Sequence, residues 1–225
     1  MQLSLDNIYI SARLQKKLDR IPMYPLTTVV APAGYGKTTA VRWFREGLSK
    51  ECMVLRLNVL GGGLNEFWRD FAELIGREAG ASFSETLLKM GPPLDTTTQR
   101  EFLRKIHELA PARETYLFVD DYHLVEGEMM TGFVLFISRN LPKHVVLISR
   151  IAVLSIRDRL LLSGRVNEIE EGDLRFDAQD IGNYFAQCGY PISSEDISHL
   201  IYISEGWAAA LYLNLVSYAD TGKFS

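Results

Sequence analysis

The sequence contains little of what metal-binding and disulfide-rich proteins require. Its 225 residues include two cysteines, Cys52 and Cys188, which lie far apart. Neither has a cysteine or histidine neighbour at metal-site spacing, and the four histidines show no ligand spacing. We therefore expect no metal site of that kind. Cys52 opens an apolar run and is interpreted as a buried free thiol.

Long apolar runs and a leader segment are also missing. None of the apolar runs reaches the roughly 18 residues that a membrane span needs. The first ten residues, MQLSLDNIYI, contain Asp6 and lack a basic head followed by an apolar block. This is not the pattern of a signal peptide. We expect a cytoplasmic protein in a reducing environment, with no membrane partner.

A large excess of one sign of charge is absent as well. The formal net charge is −4, so this stretch has no general electrostatic footprint for nucleic acid. Hydrophobic residues make up 47% of the chain and charged residues 23%, which is ordinary for a globular protein. The length suits one α/β domain of roughly 150 residues with a smaller part.

Strand-like and helix-like segments alternate along most of the chain. Apolar and β-branched runs predict strands at residues 26–30, 52–57, 116–119, 145–149 and 165–169. Apolar residues at helical spacing predict helices at 37–48, 64–79, 99–109, 132–140 and 156–162, with a turn-rich break at 91–98. The alternation predicts an α/β fold with three layers, in which helices cover both faces of a mostly parallel sheet.

The pattern changes beyond Asp173, where the remaining segments are helical. Asp177 is followed three residues later by Asp180, which predicts a capped helix start. We place a domain boundary near Gly172. It separates a first domain, residues 1–172, from a helical subdomain, residues 173–225, which we expect to be truncated.

A glycine-rich stretch follows the first predicted strand. Residues 26–39 have the sequence LTTVVAPAGYGKTT, and residues 31–38 fit the phosphate-binding loop pattern with Ala31 in place of the first glycine. The stretch also lies between a predicted strand and a predicted helix, as that pattern requires. The alternative is a strand-to-helix turn with an exposed lysine.

The residue types in this stretch suit a triphosphate. Backbone N–H groups can surround an anion when glycines such as Gly34 and Gly36 permit the necessary dihedral angles, and the next helix presents its positive end. Lys37 can bridge the β- and γ-phosphates, and the Thr38 hydroxyl can bind Mg²⁺. The predicted nucleotide-binding residues of the loop are Ala33, Gly34, Tyr35, Gly36, Lys37, Thr38 and Thr39.

Two further strand ends supply charged residues. The predicted strand at 116–119 ends in Asp120 and Asp121. Asp120 is placed to hold Mg²⁺ with its water shell, and Asp121 to orient or deprotonate an attacking water. Arg150 follows the strand at 145–149 and could place a cation near the γ-phosphate. The alternatives are an ordinary acidic turn and a solvated strand-end arginine.

Four segments together resemble a known family: AGYGKTT (33–39), VDDYHL (119–124), LISR (147–150) and SEGWAAALYL (204–213). They are similar to the nucleotide-binding part of MalT-like, LuxR-family ATP-dependent transcriptional regulators, which belong to the STAND class of P-loop ATPases. The resemblance covers nearly the whole chain.

The resemblance implies an extra strand between the loop strand and the Asp-Asp strand, and a helical subdomain from about residue 173. It also implies that Gly206 and Trp207 lie near the sugar or base of the nucleotide, although a helix packing site is an equal alternative. The segment ISARL (10–14) would place Arg13 beside the adenine. ATP or ADP with Mg²⁺ would be the cofactors of a slow ATPase that acts as a switch.

The chain also departs from the family pattern. It has Asn58 and a glycine triplet (61–63) where the family often has acidic residues, and only Arg157 and Arg159 in a stretch usually richer in arginine. The family's winged-helix, repeat-sensor and C-terminal DNA-binding domains are missing, so we interpret the chain as an N-terminal fragment. Self-association with ATP would then belong to the full-length protein, and DNA contact to the missing domain.

Two other classes of function stay open. One is a turnover enzyme, either a P-loop kinase or a DNA-remodelling ATPase. In a kinase, Arg157, Asp158 and Arg159 would be the candidates for a lid. The other is an interaction module that keeps its nucleotide as a structural ligand.

Overall fold

The computed structural model describes residues 8–109, 114–125, 128–140, 143–155, 158 and 162–224. The helices and strands that we number follow in chain order: α1 (Ala12–Leu18), β1 (Leu26–Val30), α2 (Lys37–Glu46), β2 (Met53–Asn58), α3 (Leu64–Ala79), α4 (Ala81–Met90), α5 (Thr96–Leu109), β3 (Thr115–Asp120), α6 (Glu128–Asn140), β4 (Lys143–Ser149), β5 (Val166–Glu170), α7 (Glu171–Leu174), α8 (Ala178–Gln187), α9 (Ser194–Ser204) and α10 (Ala208–Thr221). Short 3₁₀ helices cover Ile21–Met23 and Tyr122–Leu124.

The chain forms two compact units. The sheet unit consists of Arg20–Val30 and Gly47–Glu168. The loop unit consists of the chain up to Asp19, Ala31–Glu46 and the chain from Ile169 onward. The boundary expected near Gly172 lies close to Ile169, where the chain enters the loop unit, but that unit also includes the glycine-rich stretch and the helix after it.

The sheet has the strand order β2-β3-β4-β1-β5. The pairs β2–β3, β3–β4 and β4–β1 are all parallel. The predicted α/β fold with a mostly parallel sheet is confirmed. Strand β4 lies between β1 and β3, which confirms the extra strand expected between the loop strand and the Asp-Asp strand.

The register brings the carboxyl ends of these strands to one edge of the sheet. Asn58 at the end of β2 pairs with Asp120 at the end of β3. Val30 at the end of β1 pairs with Ser149 at the end of β4. Ligands of open α/β sheets bind outside the carboxyl ends of the strands, so this edge is where a site is expected.

The core of the sheet unit is rich in aromatic side chains. The α3 sequence has its large apolar residues at helical spacing, and they are buried together. The Trp68 ring contacts Phe102 and Phe133 with centroids 5.7 Å apart in each case. The Trp68 indole N–H donates to the Leu87 carbonyl at 3.0 Å, which ties α4 to α3.

The loop unit has its own apolar core between α8, α9 and α10. Its buried residues are Ile181, Phe185, Leu200, Leu211 and Leu215. The predicted cap of α8 is confirmed, because Asp177 Oδ1 accepts from the Asp180 amide at 2.8 Å. That hydrogen bond is also the main cause of the lowered pKa of the Asp177 carboxyl.

The structure differs from the sequence-based expectations between α3 and α5 and at the cysteines. Helix α4 was not predicted, and α5 begins at Thr96, inside the predicted break, because Asp95 Oδ1 accepts from the amides of Thr97 and Thr98. Cys52 and Cys188 are free thiols, but each is only half-buried. Most of the helix predicted at 156–162, including Arg157 and Arg159, lies outside the described residues.

Two kinds of feature are absent from the described residues. In that part of the chain no helix is both long and apolar enough to cross a bilayer. No group of three or more His, Cys, Asp or Glu side chains there could hold a metal ion by itself.

Candidate functional site

The glycine-rich loop links Val30 to the start of α2. Gly34 and Gly36 have φ angles of 82° and 80°, a region that glycine adopts without steric cost. Helix α2 begins at Lys37, directly after the second of these glycines. The first-turn amides and the positive end of the helix dipole make such a strand–loop–helix junction a site for an anion.

Lys37 lies folded over this loop. Its residue exposure is 9%, and its Nζ donates to the Pro32 carbonyl at 2.8 Å. A buried ammonium group needs compensating partners. The position therefore differs from the exposed lysine of a simple strand-to-helix turn, and it concentrates positive charge at the loop.

A cavity of about 460 Å³ opens beside the loop, inside the loop unit. This volume falls within the roughly 300–1,000 Å³ range of small-molecule sites. Its wall includes loop residues Gly34, Tyr35 and Gly36, residues of α2, the segment Ile8–Ile10 with Leu14, and residues of α10. The wall is mostly apolar and aromatic, which suits a flat ring system held next to an anionic group.

Two half-buried phenols, Tyr9 and Tyr184, contribute to this wall. Burial raises the pKa of Tyr184, and burial is also the largest cause of the raised pKa of Tyr9. Both phenols are therefore neutral at physiological pH. They add aromatic surface to the cavity without adding negative charge.

The N-terminal segment is attached to α8 by polar contacts. The Tyr9 hydroxyl donates to Asp180 Oδ1 at 3.0 Å, and Gln187 Nε2 donates to the Ile8 carbonyl at 3.2 Å. These bonds hold the backbone of residues 8–10 in place as one side of the cavity.

Arg13 belongs to the same attachment. Its guanidinium lies 3.4 Å from Asp177 Oδ2 and 3.3 Å from Asp180 Oδ2, and it donates to the Arg175 carbonyl at 2.5 Å. Among the described residues that line the cavity, Leu14 comes from α1, whereas Arg13 is not one of them. The structure therefore engages Arg13 with the start of α8. The adenine contact expected for Arg13 stays a prediction.

Replacing Arg13 with alanine is expected to lower the stability of the ligand-free protein by about 1 kcal/mol, since the charged hydrogen bonds lost are half-exposed. The Asp180 carboxylate, which is nearly buried, would lose its cation. Urea unfolding of the variant measures the change. Lys16→Ala, on the same helix, is the control. An unaltered midpoint for Arg13→Ala would show that the attachment contributes no stability.

Gly206 and Trp207 contact backbone groups elsewhere in the loop unit, to which both residues belong. The Trp207 indole N–H donates to the Ala33 carbonyl at 3.0 Å. Gly206 has φ 76°, its carbonyl accepts from the Phe176 amide at 3.0 Å, and an added Cβ would lie 2.2 Å from the Phe176 carbonyl oxygen. Trp207 thus lies at the loop, whereas Gly206 packs against Arg175 and Phe176, and no larger side chain fits at 206.

Sequence reasoning missed the partners of Tyr35. The Arg175 Nη2 donates to the Tyr35 hydroxyl at 3.4 Å and to Glu171 Oε1 at 2.5 Å. The hydrogen bond from Arg175 lowers the pKa of the Glu171 carboxyl. The i,i+4 spacing of Glu171 and Arg175 could have indicated the ion pair, but not its proximity to the loop.

The acidic pair lies at the carboxyl edge of the sheet unit. Asp120 ends β3, and its Oδ1 accepts from the Asp121 amide at 3.0 Å. Asp121 has φ 52°, a left-handed conformation that aspartate tolerates better than most residues, and its side chain is 49% exposed. Arg150 follows β4 and is exposed at the same edge. Two carboxylates and a cation are thus available where the strands end.

Comparison with known protein families identifies the family of this chain. The AAA domain family matches residues 24–155, which include the loop, both aspartates and Arg150. The chain belongs to the AAA domain family. The predicted P-loop NTPase architecture of the sheet and loop is therefore confirmed at the level of family as well as fold.

This AAA domain is also similar to curated transcriptional regulators. It is 30% identical over 230 residues to the HTH-type transcriptional regulator MalT of two Klebsiella pneumoniae strains. The match covers 95% of this chain and 24% of each relative, so the chain spans about a quarter of their length. The resemblance to MalT-like regulators predicted from the four sequence segments is confirmed.

Solved structures with the same fold include two archaeal ATPases. A Walker-type ATPase of Pyrococcus abyssi has a TM-score of 0.57 at 14% identity, with 99% of this chain and 71% of that chain covered. A STAND protein with a tetratricopeptide repeat sensor from Pyrococcus horikoshii has a TM-score of 0.66 at 15% identity, with 93% and 30% covered. At such identities the likeness establishes the fold alone.

Proposed function

We propose that this AAA domain binds ATP and ADP and acts as the nucleotide-controlled switch of a transcriptional regulator. The observation that supports this most directly is the cavity beside Gly34 and Gly36, because it offers an apolar wall for a base next to a loop suited to phosphates. The similarity to MalT, named an HTH-type transcriptional regulator, supports the regulatory part.

The loop residues would hold the polyphosphate. Backbone amides from Ala33 to Thr39 would surround it, and Lys37 would bridge the β- and γ-phosphates. The position of the Lys37 ammonium over the loop supports this role. Arg13 would act indirectly by holding the wall of the cavity, and Trp207 through its contact with the loop. Gly206 would act by allowing the close packing against Phe176 that precedes Trp207.

Thr38 and Asp120 are the residues that we propose for Mg²⁺. A hydroxyl and a carboxylate are oxygen ligands of the type this ion prefers, and Asp120 lies at the sheet edge where such sites occur. When bound, Mg²⁺ would neutralise charge on the phosphate oxygens. Asp121 would orient or deprotonate the attacking water, and Arg150 would place a cation near the γ-phosphate.

Hydrolysis of this kind would be slow and serve regulation. In the proposed cycle ADP holds the resting form, and an inducer with ATP releases it for self-association of the full-length protein in the cytoplasm. DNA contact would come from a domain outside this chain. A ligand shifts such an equilibrium only by its differential affinity for the two states, so ADP and ATP must bind them unequally.

Freshly purified protein is expected to release an adenine nucleotide, mainly ADP, when it is denatured and its supernatant is resolved by ion-exchange chromatography. A yield approaching one nucleotide per chain would support the proposal. Protein that contains none should still bind ADP in a calorimeter. A protein that neither carries nor binds adenine nucleotides at millimolar concentration is not the switch proposed here.

The other two classes of function are separated by following the γ-phosphate of labelled ATP. Slow release to water is the result expected for the switch. Transfer to an added acceptor would indicate a kinase, and binding without any hydrolysis would indicate a module that keeps its nucleotide as a structural ligand.

A further inference from the structure

Two neighbouring donors hold carbonyl groups of the glycine-rich loop. The Trp207 indole N–H donates to the Ala33 carbonyl, and the Ala209 amide donates to the Gly34 carbonyl, each at 3.0 Å. Both donors belong to the start of α10, where Trp207 is the N-cap residue. Consecutive peptide groups of the loop are thus fixed by one short segment 174 residues further along the chain.

The indole also packs directly on the loop. A Cβ built on Gly34 would lie 2.5 Å from Trp207 Nε1 and 2.8 Å from Cε2 and Cζ2. The ring therefore occupies the space next to the Gly34 backbone. Trp207 is not among the described residues that line the cavity, whereas Ala208 and Ala209 are. The indole therefore contacts the loop without being part of the cavity wall.

The direction of a peptide group connects these contacts to phosphate binding. The N–H and C=O of a trans peptide point in opposite directions, so a carbonyl held on the outer side of the loop directs the next amide inward. The amides that follow Ala33 and Gly34 are those of Gly34 and Tyr35. Inward-facing amides of this kind form the anion-binding concavity of a phosphate loop.

We propose that Trp207 is a positioning residue that holds the loop in its phosphate-binding conformation from behind. Trp207 and the Ala209 amide together form what we call the loop latch. The Trp207 indole can serve the loop without loss of a helix cap, since this N-cap residue makes no side-chain capping bond. The Ala209 amide, which lies in the first turn of α10, finds its acceptor in the loop. The inference rests on the proposed nucleotide-binding function of the loop.

The latch also couples the loop to α10 in both directions. If the latched loop binds phosphate more tightly, bound phosphate must stabilise the latch by the same factor. Occupancy of the loop would then be transmitted to the first turn of the last described helix without any contact between Trp207 and the nucleotide.

The test uses the full chain with Trp207→Phe, which keeps an aromatic ring and removes the N–H. Binding of ADP and of inorganic pyrophosphate is measured by calorimetry. We expect both affinities to fall by the same factor, about three- to tenfold, which corresponds to the loss of one hydrogen bond. Trp43→Phe, the same change on α2 away from the loop contacts, is the control and should leave both affinities within twofold.

The two ligands separate a positioning role from a direct contact. If ADP weakens while pyrophosphate does not, Trp207 touches the nucleoside, and the proposal is wrong. If neither weakens, the latch contributes nothing, and the proposal is wrong as well. The variant Lys37→Ala distinguishes failure of the latch proposal from failure of the proposed function. If Lys37→Ala loses ADP binding and Trp207→Phe has no effect, the latch proposal is wrong and the proposed nucleotide site is retained.

A second measurement needs no variant. Solvent exchange of the Trp207 indole N–H, followed by NMR, should slow at least about fivefold when pyrophosphate saturates the protein, because the hydrogen bond to Ala33 opens less often. The Trp68 indole N–H, which donates to the Leu87 carbonyl inside the sheet unit, is the internal reference. Exchange of Trp207 at an unaltered rate would contradict the coupling.

Discussion

Replacing Lys37 with alanine is expected to remove most of the stabilisation that ADP gives this protein. A ligand at a thousandfold excess over its Kd stabilises the folded state by roughly 4 kcal/mol. For a chain of this size that raises the melting temperature by about 8–16 °C. The Lys37 ammonium lies over the loop and is bonded to the Pro32 carbonyl, so its loss removes the charge that would face the phosphates. Thermal unfolding with and without Mg²⁺–ADP measures the effect.

Lys50→Ala serves as the control, since this lysine is exposed and lies after α2, outside the loop. The parent and the control should show the full rise in melting temperature, and Lys37→Ala at most a small part of it. A full rise in Lys37→Ala would mean that the nucleotide is not held by this loop. The ligand-free melting temperature of each variant is needed as its own baseline, because a buried side chain is being removed.

The fold could be predicted largely because its information is local. The run LTTVV predicts a buried strand, and the apolar spacing from Leu64 to Ile75 predicts an amphipathic helix; both elements are observed. Helix α4 was missed because it follows α3 after a single residue, Gly80 with φ 99°, and has a weaker apolar pattern. Its Leu87 is fully buried, and the Leu87 carbonyl bonds to Trp68, a contact that no local pattern predicts.

The same distinction applies to the site. The loop conformation could be anticipated because its glycines, its lysine and the helix start are contiguous in sequence. The contacts of Arg13 could not, because its partners lie more than 160 residues away on α8. Asp180 was predicted only as part of a helix cap, and its bond to the Tyr9 hydroxyl depends on the tertiary packing of the N-terminal segment. A sequence resemblance placed Arg13 near the site but could not specify its partner.

Replacing Asp121 with asparagine is expected to lower the rate of ATP hydrolysis about a hundredfold or more while ATP still binds. Removal of a general base typically costs 10²–10⁴ in rate. Asn tolerates the left-handed conformation that Asp121 adopts at φ 52°, so the backbone after β3 should be preserved. The substitution therefore removes a negative charge and a proton acceptor from the sheet edge with little change in shape. Single-turnover release of phosphate measures the rate, and calorimetry with a non-hydrolysable ATP analogue measures binding.

Asp70→Asn provides the matched control, because Asp70 is exposed on α3 and lies away from the strand ends. It should hydrolyse ATP at the parental rate. Hydrolysis at that rate in Asp121→Asn would exclude Asp121 as the general base that activates water, and would leave Asp120 as the only carboxylate of the pair with a proposed role. A parent protein that binds ATP and releases no phosphate at all would favour the module that keeps its nucleotide as a structural ligand, since such a module has no use for a second carboxylate beside Asp120.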